Sequence, residues 1–230
     1  MAGKHNPKVY VGTYGKYNDG SLKGKWVSLG DFDSYDEFME YCRKLHSDES
    51  DPEFMFQDTE DVPSAFYSES HIAPEFWEFL NDDIDEDVKW AIVEELGDYD
   101  SYESKKDDIY VFYDCFDMSD VAAKYVEDAG GIKGLGEDFA RRYFDYESYG
   151  RDVALEWTPD EDEPESVYEM YGVAEGDDEA LGEQLIEDMG WDGVDLDLYF
   201  DYDEFGRAMK QEGTFVRFGD YENGGLVEIF

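Results

Sequence analysis

The chain has 230 residues, with 62 Asp and Glu against 18 Lys and Arg, a formal net charge of −44 at pH 7. Such a charge repels nucleic acid and anionic membrane surfaces, both of which are bound through Lys and Arg. Hydrophobic residues nonetheless make up 41% of the chain and aromatics 17%, too much for a disordered acidic tail, so the sequence predicts a folded protein with a strongly acidic surface.

In chain order, Val9-Tyr-Val11 and Lys25-Trp-Val27 read as the strands of a hairpin joined through Gly15–Gly20, with Asp19-Gly20 as turn chemistry. Residues 1–30 hold five Lys against Asp19 alone, which leaves −48 on the rest of the chain. Ser34 followed by Glu37 fits a capping box, and Phe38, Tyr41, Cys42 and Leu45 share one helical face. Phe54-Met-Phe56 returns as a strand, which completes an α+β domain over 8–60. Residues 61–104 read as a mainly helical domain. Pro74 suits a first helical position ahead of Phe76, Trp77 and Leu80. A second helix runs from about Asp85, buries Val88, Ala91, Ile92 and Leu96, and stops at Gly97. A strand over Asp108–Tyr113 opens a third domain, 105–157. Its helix takes Ser119 as N-cap, Val121, Ala122, Tyr125, Val126 and Ala129 as its apolar stripe, and Gly130 beyond its end.

An internal repeat follows. Tyr143-Phe-Asp-Tyr-Glu-Ser-Tyr-Gly-Arg151 recurs as Tyr199-Phe-Asp-Tyr-Asp-Glu-Phe-Gly-Arg207, identical at six of nine positions. Upstream, Val126-Glu-Asp-Ala-Gly130 recurs as Ile186-Glu-Asp-Met-Gly190 at a similar offset. The pattern predicts a duplicated helical module, with 165–230 as the second copy plus a C-terminal hairpin of Thr214–Phe218 and Leu226–Phe230. The acidic, Pro-containing stretch Asp160–Glu165 is the linker. No Lys or Arg occurs between Arg151 and Arg207, while 21 Asp and Glu lie between Asp152 and Glu204.

The motifs of catalysis are missing. His5, His46 and His71 have no motif partner and read as surface histidines. Cys42 and Cys115 are too few for a disulfide scaffold or a cysteine zinc site, and Cys115 reads as a buried thiol. No Gly-x-Ser-x-Gly, Walker or His-Glu-x-x-His motif is present, and the glycine-rich Gly130–Gly136 follows a helix with the wrong spacing for a phosphate loop. Asn81–Glu86 lacks the EF-hand glycine and places Ile92 at position 12; Asp195-Leu-Asp fails at the third ligand. The sequence therefore predicts no catalytic residue, no metal and no cofactor. Without an apolar run long enough to span a bilayer or a signal segment at the N-terminus, it points to a reducing cytoplasm.

What remains is the acidic surface itself. At one charge per ~1.7 Å of duplex axis, 44 charges match about 75 Å of DNA, or about 22 base pairs. Carboxylates at phosphate-like spacing would occupy the basic groove of a DNA-binding protein. A halophile-type surface, a generic chaperone for basic proteins and a hydrolase with an unrecognised carboxylate pair are the competing readings.

Several segments together resemble the ArdA-type antirestriction proteins. They are Val9-Tyr-Val11, Gly15–Gly20 with Gly24 and Trp26, Asp114–Ala122, Asp145-Tyr-Glu-Ser-Tyr-Gly-Arg-Asp152 and Gly225-Leu-Val-Glu-Ile229. The resemblance covers most of 8–157 and the closing stretch of the chain. It implies an α+β protein built as an elongated tandem array of small α/β domains that mimics bent B-form DNA. Such proteins occupy the DNA-binding groove of type I restriction–modification enzymes, in their methyltransferase and specificity core, and are carried into the bacterial cytoplasm by phages or mobile elements. The candidate phosphate-mimicking acids are Asp85, Glu86, Glu94, Glu95, Asp117, Asp120, Glu127, Asp128, Asp145, Glu147 and Asp152. Arg151 and Arg207, each read as a cation at the end of an acidic helix, are assigned structural roles. The second motif copy departs from the family pattern. It leaves two assemblies open: the family's homodimer, favoured by the acidic linker, and an internal pseudo-dimer.

Overall fold

The computed structural model describes residues 5–160 and 163–230, so residues 161 and 162 of the predicted linker lie outside the described residues. The chain forms two compact units. One comprises the described residues up to Phe116 together with Gly213–Phe230, and the other is Asp117–Glu212. Helices and small antiparallel sheets are mixed, an α+β protein.

In the first unit, β1 (Lys8–Thr13) leads into a short helix α1 (Tyr14–Asn18) before β2 (Lys25–Ser28). The predicted hairpin is present, with Val9 opposite Val27, but its connection is not a tight turn. Thr13 Oγ1 accepts from Lys16 N to cap α1, and Gly20 follows at φ 78°, a conformation that suits glycine. Helix α2 (Tyr35–Leu45) starts where the sequence places it, with Ser34 Oγ accepting from Glu37 N. The return arm of the expected capping box goes elsewhere: the Glu37 carboxylate accepts from Asp33 N. Phe38 and Cys42 are buried from the inner face of α2. Strand β3 (Phe54–Glu60) pairs with the free side of β1, so β1 is central in the order β2-β1-β3.

A ribbon of β4 (Tyr67–Ser68) and β5 (His71–Ile72) then precedes α3 (Phe76–Leu80), α4 (Glu86–Leu96) and α5 (Tyr99–Lys105). Pro74 lies two residues ahead of α3 rather than at its first position. Asp85 caps α4 and Gly97 ends it, as expected. Helix α4 also buries a lysine the sequence gives no reason to expect inside. Lys89 Nζ donates to the carbonyls of Leu80 and Asp82, both at 2.9 Å, and lies 5.4 Å from the Phe79 ring centre. Burial pulls this ammonium below the usual lysine range, and the nearby acids, Asp82 first, oppose that shift.

The unit closes with β6 (Ile109–Tyr113), β7 (Thr214–Phe218) and β8 (Gly225–Ile229). The predicted C-terminal hairpin forms, and its second strand also pairs with β6. Val227 stands opposite both Val111 and Val216. Val227 and Ile229 share one buried cluster with Val9, Phe38, Trp77 and Ile92.

The second unit is helical: α6 (Met118–Asp128), α7 (Ile132–Leu135), α8 (Glu137–Arg142), α9 (Tyr146–Glu156), α10 (Val167–Met170), α11 (Asp178–Met189), α12 (Leu196–Tyr199) and α13 (Tyr202–Glu212). The N-cap of α6 is Asp117, not Ser119. Its carboxylate accepts from Ser119 N and Asp120 N, while Asp120 returns the capping box. The two repeated motifs meet here. Phe144 and Phe200 form an antiparallel bridge, with Asp145 N donating to Tyr199 O and Asp201 N to Tyr143 O, both at 2.7 Å. Helix α9 packs along α11, and α13 along α6. The second motif is packed against the first rather than held away by the linker. Both arginines lie in mid-helix, not at helix ends. Arg151 Nη2 donates to Ser148 Oγ at 2.9 Å and its Nη1 sits 3.7 Å from Glu147, so its partners are one turn back on α9. Arg207 is exposed on α13.

One cation centre anchors α1 to the end of α2. Lys16 Nζ lies 2.7 Å from His46 Nδ1, 2.8 Å from Asp48 and 3.0 Å from Glu49. His46 is buried, contrary to its reading as a surface histidine, because its Nε2 bonds the Val11 carbonyl at 3.3 Å. Hydrogen bonds from Lys16 and then Lys23 hold the Asp48 carboxyl down at about 2, against 3.8 for an ordinary aspartate. Its contribution is therefore complete above about pH 4 and is lost as the pH falls towards 2. The difference in melting temperature between the native protein and Asp48→Asn should be constant above pH 4 and close between pH 4 and 2.

Packing gives a second expectation. Alanine normally stabilises a helix over glycine by about 0.5–1 kcal/mol. At Gly150 an added Cβ would sit 1.9 Å from the Asp178 carbonyl oxygen, so α9 would have to leave α11. Gly150→Ala should lower the melting temperature by about 8 °C or more, the effect of roughly 2 kcal/mol in a unit of this size. A stabilised variant would mean that these helices do not touch.

Candidate functional site

Carboxylates are the most abundant functional groups here, and what each one does in the fold decides which are free to act outward. The first four N–H groups of a helix lack intrahelical acceptors, and the positive end of the helix dipole favours an anion. Asp85, Asp117 and Asp145 fill this place on α4, α6 and α9. Asp85 accepts from Asp87 N at 3.1 Å, Asp117 from Asp120 N at 2.9 Å, and Asp145 from Ser148 N at 2.9 Å. Asp120 completes the box by accepting from Asp117 N at 3.4 Å.

Others of the predicted acids have side-chain partners. Glu127 and Asp128 lie 2.8 Å and 3.1 Å from Lys124, whose ammonium is pushed up by the bond to Glu127 and then that to Asp128. Glu147 is the weak partner of Arg151 described above. Asp152 accepts from the Tyr199 hydroxyl at 3.0 Å; burial and then this bond push that tyrosine up to about 12. Glu94 and Glu95 project from the last turns of α4 with no hydrogen bond or ion pair among the described residues. Ten of the eleven acids are exposed, and Glu86 is half-buried.

These acids are divided between the two units. Asp85, Glu86, Glu94 and Glu95 ride on α4 of the first unit, and the other seven belong to α6 and α9 of the second. The sequence reading missed their counterparts in the second motif. Asp177 caps α11, accepting from Ala180 N at 3.2 Å, and Asp201 accepts from Glu204 N at 2.8 Å at the start of α13. The repeat carried that signal, since its two offsets pair Asp117 with Asp177 and Asp145 with Asp201.

Metal and nucleophile chemistry find little footing. Among the described residues the one group with donor atoms close enough for a metal is His46, Asp48 and Glu49, where the Lys16 ammonium already sits. Burial pushes the Cys42 thiol up to about 12, and Cys115 is buried too. A cavity of about 500 Å³ in the second unit, lined by Lys133, Arg141, Glu187 and Trp191, is open and mixed in charge. Among the described residues no helix is long and apolar enough to cross a membrane. The geometry can present anionic groups on fixed supports.

Comparison with known proteins adds the identity. No curated protein matches the chain. The family model described as antirestriction protein (ArdA) matches residues 9–162, so the C-terminal segment quoted for the resemblance lies outside the match. The match spans about two thirds of the chain, and the protein belongs to the ArdA family of antirestriction proteins, a family of inhibitors rather than enzymes.

Proposed function

We propose that this protein blocks a type I restriction–modification enzyme in the bacterial cytoplasm by occupying the DNA-binding groove of its methyltransferase and specificity core, with carboxylates standing in for phosphates. The observation that carries the reading is where the charge sits and how it is held. Asp117–Glu212 has 7 Lys and Arg against 30 Asp and Glu, a net charge of −23, and the rest of the chain carries −21. Several of these acids, Asp85, Asp117, Asp145, Asp177 and Asp201 among them, are fixed by backbone N–H groups at helix starts, which reduces the freedom lost on binding. A groove that releases counterions from DNA does the same with such a surface. The protein needs no cofactor for this role and avoids nucleic acid and membranes through the same charge.

The direct test is competition for a purified type I methyltransferase. The protein should displace duplex DNA from it, and affinity should fall steeply between about 50 and 300 mM salt. Displacement of DNA with equal strength from unrelated basic proteins would make it a generic polyanion and overturn the assignment. Affinity indifferent to salt would do the same.

The division of labour among the acids gives a sharper expectation. Removing one exposed charge should change inhibition about fivefold or less. Replacing Glu94, Glu95, Glu127, Asp128, Glu147 and Asp152 together by their amides should abolish inhibition with little change in melting temperature. Asp85→Ala, Asp117→Ala and Asp145→Ala should each lower the melting temperature by several degrees through loss of a helix cap. Their amide variants, which retain a cap oxygen, should recover most of that loss.

A further inference from the structure

Contacts within the second unit are reciprocal. Gly150 of the first motif presses on the Asp178 carbonyl, and Gly206, its counterpart in the second motif, presses on the carbonyl of Met118. Met118 and Asp178 are themselves counterparts, each the first helical residue after an aspartate N-cap. Tyr149 packs on Tyr199 with ring centres 5.2 Å apart, and Phe205 packs on Tyr143 at 5.1 Å. The internal contacts match as well: Phe144–Tyr146 at 5.0 Å corresponds to Phe200–Tyr202 at 4.8 Å. The bridge between Phe144 and Phe200 lies at the centre, with its two hydrogen bonds related by exchange of the motifs.

A pattern in which residue i of one half meets j of the other, and j of the first meets i, is the signature of a two-fold, isologous interface. We infer that Asp117–Glu212 is such a pair of half-modules joined in one chain. The surface made by α6 and α9 recognises a second copy of itself, and α11 with α13 supplies that copy in cis. The halves also differ in a way that two identical chains could not. The connection from Gly130 to Tyr143 is four residues longer than that from Gly190 to Tyr199. It carries Lys133, Arg141 and Arg142 against Glu137 and Asp138, where the shorter one carries only the acids Asp192, Asp195 and Asp197. Each self-recognising surface is therefore consumed inside its own molecule. This conclusion concerns assembly and stands independently of the enzyme that is inhibited.

The native full-length chain tests it. Pairing in cis makes the melting temperature independent of concentration, whereas pairing between chains makes it rise with concentration. The expected result is an unchanged midpoint over a hundredfold range in moderate salt; a midpoint that climbs overturns the inference. The Phe144–Phe200 pair lacks direct hydrogen bonds between its own residues, and such antiparallel pairs place Cα atoms about 4.5 Å apart, within reach of a disulfide. Phe144→Cys with Phe200→Cys should cross-link within one chain and run as a single chain on a non-reducing gel. A two-chain product overturns the inference. Where loss of the two rings prevents folding, the native melt decides alone.

Discussion

Repulsion among 62 carboxylates on 230 residues is the constraint that every part of this fold has to meet. At physiological ionic strength charges more than ~8 Å apart are largely screened, so neighbouring acids on one helix face dominate. The opposing attraction is aromatic. The first core gathers Phe38, Phe56, Phe66, Phe76, Trp77, Phe79 and Tyr102, and the second gathers Tyr143, Phe144, Tyr149, Phe200 and Phe205. Large rings bury much area per residue and leave most other positions free to carry charge. Two of the few cations meet several acceptors at once: Lys16 among His46, Asp48 and Glu49, and Lys106 between Asp82 and Glu103.

Carboxylates also stabilise this protein directly. At a helix start an aspartate faces N–H groups and a favourable dipole rather than another acid. Partly buried tyrosine hydroxyls do similar duty for acids further along: Tyr202 donates to Asp197 and Tyr168 to Asp178. In both cases the tyrosine is pushed up to about 12, so it remains a donor across the physiological range. For the proposed groove-binding role, these attachments have a second effect. They turn charges on mobile side chains into charges at fixed places.

Local chemistry was legible in the sequence. The Ser34 cap, the helix from Asp85 to Gly97 and the buried positions Val121, Ala122 and Val126 need only neighbours within a turn or two, and a linear pattern carries that information. The assignment of Ser119 rather than Asp117 as N-cap shows the limit, since both residues suit the position and only backbone geometry separates them. Long-range partners were not legible. Nothing near Ile109–Tyr113 announces that its neighbour will be Gly225–Ile229, and nothing around His46 foretells that the Val11 carbonyl will bury it. The repeat was visible, but the crossing of helices between its halves was not. Identical motifs say that two surfaces are alike, not that they face each other. For the candidate acids, residue type and charge density could be read directly; which ones serve as caps depended on where each helix begins.

The pairing of β8 with both β6 and β7 has a consequence for how the protein is made. Tyr113 and Gly225, opposite each other in that sheet, are separated by nearly half the chain. At roughly 5–20 residues per second of synthesis, β6 waits about 6–22 s before its partner exists. During that time Val111 and Phe112 lack the β8 strand that pairs with them, while all of Asp117–Glu212 emerges. The sheet is completed only when Gly225–Ile229 has left the ribosome. The flanking acids then act as gatekeepers for the nascent chain: Asp107, Asp108 and Asp114 bracket the open strand and discourage it from pairing with another copy.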